Sequence, residues 1–557
     1  MLFGCWSFIY LNGILLKIGG RNSAVECQLP KLDVVGSSPI ARSSFSLLLF
    51  SLFFFNGFGL TIAPGNAWAQ VETDSSRPFG QGQVFLLPGS TDYVGDVPQE
   101  IEVGTEKFPV HTVAGWIAEQ VGWFNPTSSN QMGLRNQEAG IFFNGIPYPF
   151  VSDRLLNWMP FTGTVELLDF PAAAWWGSTA SSGAIQFESP TSEDKNQKKI
   201  YLWDGSGNLW GGGGNFHDPF FDISGNYRGK FSSGLNQADS FSILSRANWF
   251  QSSGLNIETG LLGAQQMFSD NWYSVFTSIK FSSQNFQTIE LKPYFQTARL
   301  ADQIVQEEGS FFGYRFNLAG LAEGYLGSGI NQSHYQSNGG SNDKTTGFVQ
   351  TSDLVDVLGS LAADVAFRLD FSSSSNTAFS TLIGLQLNQA PFSWLADYAK
   401  GMLATIDQDA QQIDIGFRFQ PDEVWKITLK YLNEKIADSF QNGGRIQVQL
   451  QERRGFLIFK DLKFKFEGEI LQNANGTNFY DASEKIEFSL FKNNRFWVLG
   501  RQYDNPLIYA EFGTEYSFLK KITLFFSMAN MENSRISWPD SDLTPGSVVW
   551  AGISGEF

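Results

Sequence analysis

The chain has 557 residues, a formal net charge of −17 and two cysteines, Cys5 and Cys27. The acidic balance argues against nucleic-acid binding. Both cysteines precede the expected cleavage site, which argues against disulfides, thiol catalysis and cysteine-held metal. The three histidines, His111, His217 and His334, are far apart and show no ligand spacing, so no metal site is expected. Aromatic residues make up 15% of the chain at a mean hydropathy of −0.15. Many aromatics on a slightly polar average suit a membrane barrel with lipid-facing girdles and a wet interior.

Residues 20–43 resemble the conceptual translation of a transfer-RNA gene, so residues 1–43 are expected to be an upstream extension, with the true start near 41–47. Residues 44–69 read as a secretory signal peptide. An uncharged apolar run ends at Leu60, and the small-x-small site Ala67-Trp68-Ala69 follows. Residues 70–93 form an N-terminal extension, with a short apolar stretch at Gln83, Val84, Phe85, Leu86 and Leu87 before Pro88-Gly89.

Residues 94–190 carry the densest set of motifs. Val97–Val103 reads as a short strand, and Val113, Trp116, Ile117, Gln120 and Val121 share one helix face, with His111 or Thr112 as the cap. Asn144-Gly145-Ile146-Pro147 is a turn that needs positive φ. Val165-Glu166-Leu167 forms a strand core. Pro171-Ala172, Trp176-Gly177 and the small-residue run to Gly183-Ala184-Ile185-Gln186-Phe187 complete the set.

In order and spacing these motifs resemble the plug domain of TonB-dependent outer-membrane receptors. One departure stands out: the family usually has Arg-Gly before the proline, and this chain has Asp169-Phe170. The resemblance implies a plug inside a transmembrane β-barrel, and it makes Gln83–Leu87 the candidate TonB box. Such a segment adds a strand to a partner's sheet edge; a simple plug strand is the competing reading. It also implies ligand contacts at the plug apices, for which Met132, Leu134, Arg135, Asn136, Tyr148 and Phe150 are the candidates. Buried packing is the competing reading for each.

Residues 191–199 are polar and read as a linker. From 200 to 557 the chain is a series of short alternating segments, such as Ile413–Phe419, Ile427–Tyr431 and Ile446–Leu450. The expected fold is an all-β membrane protein, an antiparallel barrel with a small α+β plug in its lumen. Its length suits about 18–22 strands; family resemblance favours 22, which requires short connections almost everywhere. Asn331–Lys344, Asn473–Ser483 and Asn533–Pro545 are the candidate longer loops. Trp210–Gly214 reads as a tight connection or a crowded early strand. Val549, Ala551, Ile553 and the terminal Phe557 alternate, which resembles the signature accepted by the barrel-assembly machinery.

No nucleophile elbow, zinc-protease motif or phosphate loop is present, so no enzyme and no cofactor are expected. The resemblance implies a ligand-gated importer of a scarce nutrient, an iron–siderophore, a cobalamin or a similar chelate. Its partners would be TonB with the inner-membrane energising complex, outer-membrane lipid and a small ligand. A plugged but uncoupled barrel, acting as a passive channel or a structural or adhesive surface protein, stays open beside it.

Overall fold

The computed structural model describes residues 8–11, 14–17, 83–84, 92–93, 101–105, 116–117, 120–123, 139–148, 164–169 and 183–188. From 198 to 556 it describes the barrel strands with part of their connections. The chain divides into two units, Met1–Ala69 and Gln70–Phe557. In the first, β1 (Phe8–Leu11) and β2 (Ile14–Lys17) form an antiparallel pair.

In the second unit, β3 (Gln83–Val84) pairs with β4 (Asp92–Tyr93). A five-stranded plug sheet follows. It contains β5 (Ile101–Thr105), β6 (Gly140–Phe143), β7 (Ile146–Pro147), β8 (Thr164–Leu168) and β9 (Ala184–Glu188), in the order β5-β8-β9-β6-β7. The sequence explains the strand ends. Asn144 (φ 49°) and Gly145 (φ 81°) take the two positive-φ positions of a tight hairpin between β6 and β7. Gly183 (φ 110°) lets its carbonyl accept a bond from the Gly140 amide, where the parallel pair β6–β9 begins. Apolar residues Ile141, Phe143, Val165, Leu167, Ile185 and Phe187 are all buried.

Twenty-two strands, from β10 (Lys198–Gly205) to β31 (Gly546–Glu556), form a closed antiparallel barrel, the last strand pairing with the first. Closure leaves no unpaired sheet edge, which lipid requires. The period-two pattern sorts the faces. On β15 (Asn271–Ser282), Trp272, Ser274, Phe276 and Ser278 are buried toward the lumen, whereas Val275 and Phe281 are exposed outward. Aromatic residues ring the outer face at both ends. Phe220, Trp249, Phe281, Trp394 and Phe518 mark the near rim, where β10 begins and β31 ends. Phe241, Phe371 and Phe379 mark the far rim. These are the girdles of a transmembrane barrel. On the last strand Ala551 and Ile553 face outward, with Ile553 opposite Leu202 of β10; Phe557 lies outside the described residues.

The glycine run falls inside β11 (Leu209–Asp218), so it is a crowded strand. A Cβ on Gly211 would stand 2.5 Å from the Trp203 ring, and one on Gly212 would stand 2.6 Å from Leu202. Two loop expectations are corrected. Asn331–Lys344 is not a loop: it belongs to β18 (Ala322–Ser337) and β19 (Gly340–Asp356), joined only by the turn Asn338-Gly339. Asn473–Ser483 shrinks to the short connection between β26 (Lys460–Asn473) and β27 (Asn478–Ser489). The cause is shared. Strands of 16 and 17 residues exceed the membrane-spanning need of about ten, so their ends stand in water. There polar residues occupy both faces, and the alternation that marks a strand disappears. Asn533–Pro545 lies outside the described residues.

Candidate functional site

The lumen holds the plug against two facing groups of strands, and each group uses different chemistry. The first is β15, β16 (Thr288–Leu300) and β17 (Gln303–Leu318), which receives the Asn144–Pro147 hairpin. Lys292 Nζ donates to the Asn144 carbonyl at 2.9 Å, and Gln296 Nε2 donates to the Pro147 carbonyl at 2.8 Å. Both acceptors are main-chain carbonyls at a turn. Aromatic packing completes the seat. Phe143 stacks on Phe187 and packs at a tilt against Trp272, and Tyr148 meets Trp272 edge-on.

The same glutamine reaches further. Its Nε2 also donates to Glu307 Oε1 at 2.9 Å, while its Oε1 accepts from the Trp272 indole at 3.2 Å. Glu307 takes two more donors, the Tyr294 hydroxyl (2.8 Å) and Ser333 Oγ (2.7 Å). A buried carboxylate satisfied by three neutral donors thus ties the plug hairpin to three barrel strands. Nearby, Glu290 accepts from Ser278 and lies within ion-pair range of Lys280 and Lys292. Burial, with the charge of Asp270, pushes the Tyr148 phenol well above its usual range, so it stays a neutral donor.

The second group is β25 (Ser439–Glu452), β26, β27 and β28 (Asn494–Tyr503), and its contacts are charged. Arg445 Nη1 lies 3.1 Å from Asp169 Oδ2 and 4.0 Å from Glu469, and its Nη2 lies 3.7 Å from Glu467. Asp481 accepts from the Gly122 amide at 2.8 Å and pairs with Arg501 at 2.7 Å. Lys465 donates to Gln120 Oε1 at 3.2 Å. The strand register explains the clustering. Arg445 lies opposite Glu469, and Glu469 opposite Asp481, so three charges stand side by side on one lumenal row. On the plug, residues 116–117 are helical and Ile117, Val121 and Trp123 are buried, which presents the 120–122 turn to that row.

Among the expected site residues, Tyr148 is buried in the aromatic seat. Met132, Leu134, Arg135, Asn136 and Phe150 lie outside the described residues, as do Phe85, Leu86 and Leu87 of the box candidate. Gln83 and Val84 form β3. Of the plug motif, Asn144, Gly145, Ile146, Glu166, Gly183 and Ile185 are buried and Pro147 is half-buried. Pro171, Trp176 and Gly177 lie outside the described residues. Sequence reasoning missed Lys292, Gln296, Glu307, Arg445, Glu467, Glu469, Asp481 and Arg501. The available signal was their place on the polar parity of barrel strands; nothing local says which of those meet the plug.

No family model matches the chain, and no curated protein matches it in sequence. Solved structures match its shape. The siderophore receptor PirA from Pseudomonas aeruginosa is 13% identical, with 82% of this chain and 99% of that one covered at a TM-score of 0.69. The alcaligin outer-membrane receptor FauA from Bordetella pertussis is 11% identical, with 85% and 97% covered at 0.68. The ferric-catecholate import receptor Fiu from E. coli is 10% identical, with 85% and 98% covered at 0.68. The fold shared with these receptors is the closed antiparallel barrel of 22 strands, the architecture of an outer-membrane barrel.

Proposed function

We propose that this chain is a TonB-dependent outer-membrane receptor that imports a scarce nutrient, of the iron–siderophore kind rather than a cobalamin. The carrying observation is the two-sided seating of the plug. A small sheet lies within a closed barrel and is held by separable polar contacts on both sides. Such contacts keep the pore shut and are breakable by pulling on one end of the plug. The names of the structural neighbours support the ligand class. In this reading TonB pulls on the extension 70–93, with Gln83–Leu87 as the box, and the ligand binds from the far rim. Insertion would use the barrel-assembly machinery, guided by the terminal strand.

An uncoupled barrel would fit a plug that had lost its tie to the barrel at the altered Asp169-Phe170 turn. Asp169 instead makes a plug-to-barrel ion pair with Arg445. The test is uptake of radiolabelled ferric catecholate and ferric hydroxamate chelates by cells with and without the protein. Protein-dependent uptake of one chelate that stops on adding a protonophore is the expected result. Uptake that ignores the protonophore would establish a passive pore instead.

A further inference from the structure

The plug sheet has two edge strands, β5 and β7, and the barrel holds the two edges differently. β7 belongs to the hairpin seated on β16, beside the aromatic packing around Trp272. β5 is the first strand of that sheet after the extension 70–93, and β8 is its one neighbour there. A pull on the extension therefore reaches the sheet at Ile101, which pairs with Leu168. The residue after Leu168 is Asp169, whose carboxylate meets Arg445 of β25 at 3.1 Å. The same guanidinium lies 3.5 Å from the Val121 carbonyl, in the turn that follows β5 along the chain. One barrel arginine thus spans two plug segments, one beside the start of β5 and one downstream of it.

We propose that Arg445 is a latch on the pulled edge of the plug, with Asp169 and the Val121 carbonyl as its catches; the inference rests on the coupled-importer reading above. Force arriving through the extension loads the Asp169–Arg445 contact first, because the hairpin seat lies at the opposite edge of the sheet. Once the latch yields, β5 has no second neighbour in the sheet and leaves β8 pair by pair, from Ile101 to Thr105. The hairpin stays seated, since freeing it would expose the buried Phe143, Tyr148 and Trp272 to water. The barrel side survives the release. Glu467 at 3.7 Å and Glu469 at 4.0 Å keep Arg445 paired when Asp169 departs, and Arg501 keeps Asp481 paired when Gly122 departs. No charge on the barrel is stranded. The opening therefore falls between the plug and β25–β28, and the guanidinium stays oriented for the plug's return.

The test pulls the full chain, folded in a lipid bilayer, from a Ser75→Cys handle, with Cys5 and Cys27 changed to serine. The time to the first release of the plug is read at a fixed force. Asp169→Ala should release about tenfold faster. Asp169→Asn, which keeps the size and loses the charge, should be faster as well. Gln296→Ala, on the hairpin seat, should leave the first release unchanged, although its loss of plug docking is of the same order. Heat-modifiable gel mobility checks that each barrel is folded. A release rate unchanged by Asp169→Ala would overturn the latch. So would a Gln296→Ala protein that releases as fast as Asp169→Ala, the result expected of a uniformly loosened plug. Neither TonB nor a ligand enters the assay. A failed latch therefore leaves the coupling reading standing, and a failure of TonB capture leaves the latch standing.

Discussion

Asp169 Oδ2 lies 3.1 Å from Arg445 Nη1, and both side chains are buried where the plug meets β25. In plugs of the family this chain resembles, an arginine usually stands at this turn; here the acid is on the lumenal domain and the guanidinium is on the barrel. Arg445 also answers Glu467 and Glu469, so the two partners are not equivalent. Removing Arg445 leaves three buried carboxylates without it, whereas removing Asp169 leaves the arginine its two barrel glutamates. Arg445→Ala should destabilise plug docking by about 3–5 kcal/mol, and Asp169→Ala by about 1–3 kcal/mol. Protease cutting of the plug in the folded barrel, followed against urea, measures both. Equal effects would contradict the asymmetry.

Gln296 is shared by the Pro147 carbonyl, Glu307 and Trp272. Gln296→Ala should cost about 1–3 kcal/mol, because it takes the donor from a part-buried carbonyl and removes one donor from a buried carboxylate. Gln296→Glu should be worse, since it sets a second anion against Glu307. Protease cutting of the plug in the folded barrel should rise in the order wild type, alanine, glutamate.

Tyr148 gives a pH signature. Its phenol is held above the unfolded value of about 10, so as pH rises past that value the unfolded plug loses the proton first. The stabilisation is complete below pH 10 and is lost as pH climbs toward the raised folded value. Plug protection should therefore fall in strong alkali, and Tyr148→Phe should remove that part of the fall. An unchanged alkaline profile in Tyr148→Phe would sink the assignment.

Gly329 faces two rings: a Cβ there would stand 2.5 Å from both Phe311 and Phe348. Gly339, in the exposed β18–β19 turn, meets only Ser337 Oγ, at 3.8 Å. Gly329→Val should destabilise the barrel by about 1–3 kcal/mol or more through overpacking. Gly339→Ala meets no such obstacle and should cost less. Heat-modified gel mobility of the two variants makes the comparison.

The plug hairpin and the barrel were legible in the sequence because their causes are local. Asn144-Gly145 demands positive φ, and alternation along strands such as Ile413–Phe419 sorts lumen from lipid. The plug seats were not legible. Arg445 is 276 residues from Asp169, and Gln296 is 149 from Pro147, so only closure of 22 strands in one register brings them together. The same physics hid the β18–β19 hairpin, where Gln332, His334 and Gln336 face water and the outer face carries no apolar mark. The departure at Asp169 was visible, but its partner Arg445 shares the lumenal parity of its strand with Gln441, Gln447, Gln449 and Gln451, and nothing local singles it out.

Energy coupling through residues 70–93 is the central claim. The direct measurement is capture of the folded, purified barrel by the periplasmic domain of the host's TonB, with and without that segment. The account predicts capture of the intact protein and its loss on deletion. An intact protein that is not captured, or a deletion captured equally well, would contradict it.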